Sequence, residues 1–306
     1  MKHLLRDIEY FSVVAECGNV GRASVELGLS QPAVSKSLRR LESSIHAKLV
    51  QRTPKGIALT SVGATLFSQV RRLRLSLDEV TREIADLSEG RAGQLRLGSG
   101  TGSAAHIVTA ACAALSEEAP RVRFRVSTLG LDETVSRLCN GDIDLAVNTI
   151  RAHRQEDLVA ERLYDEQFVV YASSSHRLAG RKQVSLGELA RERWVVSNSE
   201  ASAPQHLAQL FINAGLPPPS AVMETDSLAL RQQFVASSHA VSLASKRMVH
   251  LAAQQYALRE LNVAGFTYSR SIGIYYRKNS YFSPAAQRFL SILKEVTKDC
   301  LARLAD

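Results

Sequence analysis

The sequence predicts an all-α, winged end over residues 1–59, one long helix over 60–89, and an α/β remainder. Three observations carry this. Residues Ser30 to Ile45 read as a capped helix, apolar on one face and basic on the other. From Leu66 to Leu87, apolar residues recur about every 3.5 positions. Beyond Leu95, short apolar runs alternate with helical patterns. At 306 residues, 45% hydrophobic and 22% charged, the chain has the length for several cores and an ordinary globular composition.

In the first helix, Ile8, Phe11, Val14 and Ala15 form an apolar stripe, and Gly18-Asn19 stops it. A short second helix, about Val20 to Leu27, turns Ala23 and Leu27 inward. Gly28-Leu29-Ser30 is a tight turn in which Gly28 can take the left-handed backbone of a helix end. Ser30 caps the third helix, and Pro32 sits in its first turn, where a missing N–H costs little. Val34, Leu38, Leu41 and Ile45 give that helix its buried face. Helix, glycine turn and capped helix make a helix-turn-helix. Residues 48–59 alternate weakly around Pro54-Lys55-Gly56 and add a two-stranded wing. Between residues 31 and 60, Lys36, Arg39, Arg40, Lys48, Arg52 and Lys55 stand against Glu42 alone: six bases less one acid, +5 of the chain's +8. A solvated charged face is the plain reading of such a helix, but charge concentrated on one motif favours phosphate contacts.

Ser30-Gln31-Pro32-Ala33-Val34-Ser35, then Leu41-Glu42, Leu49, Arg52, Leu59-Thr60 and Gly63, resemble the DNA-binding end of LysR-type transcriptional regulators. His46-Ala47 replaces the family's usual Leu-Gly pair, and Val50 a common Phe. The resemblance implies that the start of the third helix reads base edges, through Gln31, Pro32, Ser35 and Arg39. Gln pairs bidentately with adenine and Arg with guanine. Lys36, Arg40, Arg52 and Lys55 are assigned to phosphates, which position a protein without reading sequence.

Leu66, Val70, Leu73, Leu77, Val80, Ile84 and Leu87 are spaced 4, 3, 4, 3, 4, 3, the seam of a helix pair, with charged residues on both flanks. A helix of about 43 Å, at 1.5 Å per residue, is poorly stable alone on so narrow a seam. Pairing with its twin in a homodimer is expected; burial against its own domain is the alternative. A two-fold dimer presents two recognition helices and calls for an imperfect palindrome in double-stranded DNA.

Ser88 to Gln94 contains two glycines and leaves a hinge at 90–94. Strands follow at 95–97, 122–127, 168–172, 194–197, 221–225, 240–244 and 272–276, residues 140–147 give a turn and a buried strand, and helices fall at 104–116, 134–139 and 283–301. Gly93-x-Leu-Arg-Leu-Gly98, Ala119-Pro120-x-Val122, Gly141-Asp-Ile-Asp-Leu-Ala146 and Val184-Ser-Leu-x-x-Leu189 resemble the same family's effector domain, which is similar to periplasmic binding proteins. That resemblance implies a periplasmic-binding-protein-like fold of two subdomains, 95–163 with 269–306, and 164–268. Ser238-His239-Ala240 replaces a frequent Gly-x-Gly, a change expected to narrow the cleft wall or make it less flexible.

Gly98-Ser-Gly-Thr-Gly-Ser103 is one residue short of a dinucleotide fingerprint. Its amides and hydroxyls suit a carboxylate at a helix N-terminus, a tight turn without ligand being the alternative. By resemblance, an effector lies near Ser99, Gly100, Thr101, Thr128, Asn148, Ser199, Ser202 and Asp226. Such hydroxyl and amide groups suit a small organic anion; no cofactor is expected.

Enzyme motifs are missing. The eight histidines share no spacing, and neither G-x-S-x-G, Walker A nor H-E-x-x-H occurs, so no catalytic and no metal residues are assigned. His106 is expected to pack in the core or cleft wall. The four cysteines are scattered, as suits reduced thiols in a cytoplasm. None lies between Cys139 and Cys300, which removes the cysteine-pair oxidant sensing of some relatives. No run of eighteen apolar residues and no signal-peptide pattern is present, so no membrane role is expected. The expected function is an effector-modulated, DNA-binding transcriptional regulator. Family analogy adds a homotetramer and contact with RNA polymerase, and leaves activator and repressor open.

Overall fold

A computed structural model describes residues 2–54, 56–89, 94–151, 157–197, 202–278 and 280–302. The chain divides into two compact units, Met1–Ala85 and Asp86–Asp306.

The first unit contains α1 (Lys2–Cys17), α2 (Val20–Glu26), α3 (Gln31–Ser44), β1 (Val50–Thr53), β2 (Gly56–Leu59) and most of α4 (Ser61–Glu89). Asn19 caps α2, accepting from the amides of Gly21 at 2.7 Å and Arg22 at 3.2 Å. Gly28 turns with φ +63°, and the Ser30 hydroxyl accepts from the Ala33 amide at 3.4 Å. Phe11, Leu38, Leu41 and Leu49 form one cluster, and Val13, Val14, Ala23 and Val34 another beside it. Ile45 departs from its expected burial. It is the C-cap of α3 and 36% exposed, because the helix ends at Ser44 and His46 turns left-handed at φ +52°.

β1 and β2 pair antiparallel from Val50↔Leu59 to Thr53↔Gly56. The Ile57 amide donates to the Gly18 carbonyl at 2.9 Å, tying this wing to the turn after α1. A Cβ on Gly56 would lie 2.5 Å from that same carbonyl, so only glycine allows the approach.

The second unit runs β3 (Gln94–Ser99), α5 (Ser103–Glu118), β4 (Arg123–Thr128), α6 (Leu131–Asn140), β5 (Leu145–Thr149), β6 (Leu158–Ser173), α7 (Leu186–Leu189), β7 (Arg193–Val196), α8 (Ser202–Asn213), β8 (Ser220–Glu224), α9 (Leu228–Ala236), β9 (Ala240–Ser245), α10 (Lys246–Tyr256), β10 (Leu258–Leu261), β11 (Tyr268–Arg277) and α11 (Pro284–Ala302). Its sheet has the order β4-β3-β5-β11-β6-β9-β7-β8, with β10 also paired to β6. β3 is parallel to β4 and β5, and β7 is parallel to β8 and β9. Between these parallel groups, β6 and β11 are antiparallel and belong to both halves. Leu158 to Phe168 of β6 pair with β11, while Phe168 to Tyr171 pair with β9. Tyr164 packs in the core of the first half, and Phe168 in that of the second.

β6 is far longer than the expected 168–172, because its first half alternates charged and apolar residues against β11. β10 was not expected at all. Ser238-His239-Ala240 does not border the cleft. It opens β9 at the end remote from Ser245, the residue that faces Phe168 where the halves meet.

Candidate DNA-binding surface and effector cleft

On α3, burial of Val34, Ser37, Leu38 and Leu41 leaves Gln31, Pro32, Lys36, Arg39 and Arg40 exposed, with Ser35 half-buried. Arg52 is exposed on β1; Lys55 lies outside the described residues. The first turns of the helix, where amides and a dipole face outward, carry Gln31, Pro32 and Ser35 of the residues assigned to bases, and Arg39 lies about two turns in from Gln31.

Arg40 is partly committed to the scaffold. Its Nε donates to Asp7 Oδ2 at 2.6 Å, and a terminal nitrogen pairs with the same carboxylate, which also accepts from Ser37 at 2.5 Å. Burial pushes the Asp7 carboxyl up, but the bonds from Arg40 and Ser37 outweigh it and leave the group below its ordinary value. Asp7 thus ties α1 to α3.

Glu42 holds the wing in the same way. Its buried carboxylate accepts from Lys48 Nζ at 2.7 Å and from the backbone amides of Leu49 at 3.0 Å and Val50 at 3.5 Å. Burial again pushes the group up, and these three donors bring it below the usual carboxylate range. The sequence offered a hint: four residues after Leu38, Glu42 falls on the inner face of α3.

The seam of α4 divides. Leu66 and Phe67 pack against the Phe11–Leu49 cluster, and Val70 is buried. Leu73, Leu77, Val80 and Ile84 are 57%, 59%, 50% and 60% exposed. The side chain of Leu87 lies outside the described residues. Burial in the chain's own unit therefore accounts for the first two seam positions and not for the next four.

In the α/β unit Ser99, Thr128 and Asn148 stand at carboxyl ends of parallel strands, and Gly100, Thr101 and Asp226 in the segments that follow, where ligand crevices form. Ser99 is buried at the end of β3 and donates to the Gly100 carbonyl at 2.9 Å. Asn148, buried in β5, donates to the Leu129 carbonyl at 3.1 Å and to Thr134 Oγ1 at 2.9 Å, and accepts from the Thr149 amide at 2.8 Å. A Cβ on Gly100 would come within 2.9 Å of Asn148 Oδ1, which explains the glycine. Ser99, Gly100 and Asn148 thus lie together at the ends of β3 and β5. Thr101 is half-buried in the following loop, and Thr128 is exposed at the end of β4. Asp226 comes from the other half and accepts from the Ser197 hydroxyl at 2.9 Å. Ser199 and the side chain of Ser202 lie outside the described residues. His106 is exposed on α5 rather than packed as expected.

Sequence reasoning missed what joins the halves. Glu166 of β6 and Arg270 of β11 form a buried ion pair at 2.8 Å, and the guanidinium lies 4.6 Å from the centre of the Phe168 ring. Their partners are more than a hundred residues apart, so no local pattern shows them. Arg231 of α9, also buried, donates to the Leu243 carbonyl at 3.2 Å.

Among the described residues no group of three His, Cys, Asp or Glu side chains could hold a metal ion, and no helix is long and apolar enough to cross a membrane.

The family model described as the LysR substrate binding domain matches residues 88–298, and that of the bacterial regulatory helix-turn-helix protein, lysR family, matches residues 5–64. The chain is 29% identical over 285 residues to the RuBisCO operon transcriptional regulator of Allochromatium vinosum, covering 93% of each. Among solved structures, HinK, a LysR family transcriptional regulator from Pseudomonas aeruginosa, aligns with a TM-score of 0.56 at 24% identity, over 95% of this chain and 97% of that one. Full-length CbnR, solved in complex with its target DNA, aligns with a TM-score of 0.52 at 20% identity, over 95% and 99%. At these identities the two structures speak for the fold.

Proposed function

Since the chain belongs to the LysR family of transcriptional regulators, we propose that two copies pair along α4 and read an imperfect palindrome in double-stranded DNA. Gln31, Pro32, Ser35 and Arg39 face base edges in this reading, and Lys36, Arg40, Arg52 and Lys55 face phosphates. The observation that carries it is α3 itself: Val34, Leu38 and Leu41 are buried, while Gln31 and Pro32 at its capped end and Lys36 and Arg39 further along are exposed. The exposed Leu73, Leu77, Val80 and Ile84 support pairing, since an isolated chain leaves them in water.

A small organic effector, anionic in our reading, occupies the cleft between the halves of the α/β unit. It acts through its preference for one arrangement of those halves, the only way a ligand shifts an equilibrium. Dimers of the dimer, in the cytoplasm, would carry that preference to DNA bending and RNA polymerase contact, as activator or as repressor. Fluorescence anisotropy on the DNA upstream of the chain's own gene, with random DNA as competitor, tests the reading. Saturable binding that survives competitor is expected; binding that random DNA removes would leave a non-specific basic protein.

A further inference from the structure

The second half of the α/β unit contains a cavity of about 270 Å³ whose described lining includes none of Ser99, Gly100, Thr101, Thr128, Asn148 and Asp226. Its walls include Phe168, Trp194, Val196, Pro204, Leu207 and Pro219, all apolar. Among the described residues, the polar groups reaching it are Ser197, Gln205 and one cation, Arg231. Arg231 is 2% exposed and oriented by the bond to the Leu243 carbonyl at 3.2 Å. It also lines the small void between the halves, beside Glu166 and Arg270. We propose that this cavity is a binding site for a compact apolar molecule carrying one carboxylate, its body against Trp194 and Phe168 and its carboxylate on Arg231.

Size and chemistry both point there. A cavity of about 150 Å³ holds a benzene-sized ligand, so this one takes a body somewhat larger. Apolar walls supply affinity, while the few polar groups fix orientation. A guanidinium fork matches a carboxylate in shape as well as charge. Gln205 can add a donor to that head group, while the Ser197 hydroxyl already donates to Asp226 at 2.9 Å; a phosphate dianion asks for more cations than the described lining provides. The location would make binding felt elsewhere. Phe168 packs edge-on to Tyr268 of β11 at 5.6 Å and lies under Arg270, so the ligand would rest on the residue that joins both crossing strands.

The site rests on the reading of this unit as an effector domain, yet it can be tested apart from DNA. Trp194 is the sole tryptophan, buried, and in the cavity wall, so its fluorescence reports on occupancy. The full-length protein is titrated with cyclohexanecarboxylate and with the neutral cyclohexanecarboxamide, neither of which absorbs where tryptophan is excited. A saturable change in Trp194 emission is expected with the acid, with affinity about tenfold or more above that of the amide. Arg231→Met should erase the preference for acid over amide. Ala208→Phe, which fills the cavity from α8 without altering charge, should abolish saturation with both and serves if the Arg231 variant fails to fold. Absence of saturation, equal affinity for acid and amide, or binding unchanged in Ala208→Phe would each overturn the proposal. Anisotropy on upstream DNA, run in parallel, separates the two readings. Specific DNA binding with no carboxylate site removes this proposal alone, and a carboxylate site without specific DNA binding removes the regulator reading alone.

Discussion

Replacing Glu42 with alanine should loosen the wing without unfolding the helices that carry it. The side chain is 8% exposed, and its carboxylate accepts the Leu49 amide at 3.0 Å from a residue that is itself fully buried. Leaving that amide unsatisfied costs about 1–3 kcal/mol. Its ion pair with Lys48 adds little, because Lys48 is 77% exposed and such pairs contribute about 0–1 kcal/mol. The Val50 amide, at 3.5 Å, adds less still. About 2 kcal/mol is therefore expected for Glu42→Ala, and less for Glu42→Gln, which keeps an oxygen for Leu49. Hydrogen exchange of amides 48–60 in the full chain reads this directly, since 2 kcal/mol corresponds to about thirtyfold faster exchange. The sign with pH follows from the lowered Glu42 value. Its stabilisation is complete above the unfolded carboxyl value, about 4.3, and is lost as pH falls through the lower folded one. Acid should thus loosen the wing in the wild type but not further in Glu42→Ala. Wing amides equally protected in wild type and Glu42→Ala would refute the reasoning.

Arg39→Ala should weaken specific DNA binding by about 1–3 kcal/mol if the contact is bidentate to a base; equal losses on specific and random DNA would mark a phosphate contact instead. Leu73→Glu with Val80→Glu should give monomers by sedimentation, since both side chains are half-exposed or more and the unit's own core does not need them; a persistent dimer would refute the seam. Burial raises the Cys112 thiol to about 11, so iodoacetamide at pH 8 should modify it only after unfolding, and prompt labelling of the native protein would contradict this.

The recognition helix was legible because its signals are local. Ser30 and Pro32 mark its start, and Val34, Leu38 and Leu41 mark its inner face within three turns. Ile45 continued the spacing but fell beyond the last hydrogen-bonded turn, where periodicity no longer fixes burial. Strands between helices were legible where they are apolar on both faces, as in Leu145 to Val147. β6 was not, because Glu161, Arg162, Asp165 and Glu166 break its apolar run, and what holds them is β11, far along the chain. Asn148 shows the limit at the site. A polar residue ending a strand suggested a ligand contact, yet its donors and its oxygen already serve Leu129, Thr134 and Thr149. Only tertiary structure shows these bonds, and only it brings Arg231 into one cavity lining with Trp194 and Phe168.

β6 and β11 constrain any motion between the halves of the α/β unit. Both halves hang on the same two antiparallel strands, so reorienting one means bending or twisting that pair. Near the transition from one core to the other lies the Glu166–Arg270 ion pair, with side chains only 3% and 10% exposed. Removing one partner of such a pair costs about 3–5 kcal/mol, whereas replacing both with apolar residues is often neutral. A rearrangement that parted them would meet a comparable penalty, so the halves should turn about this pair while keeping it intact. The strands also approach closely nearby. A Cβ on Gly273, beside the irregularity after Ile272, would lie 2.5 Å from the Glu161 carbonyl, so a larger residue there would force β11 from β6. Glu166→Met should therefore lower thermal stability strongly, and the double variant Glu166→Met, Arg270→Met should recover most of it. Both variants measured by thermal unfolding decide the matter: a double variant no more stable than the single one would show that the strands, rather than the pair, pin the hinge.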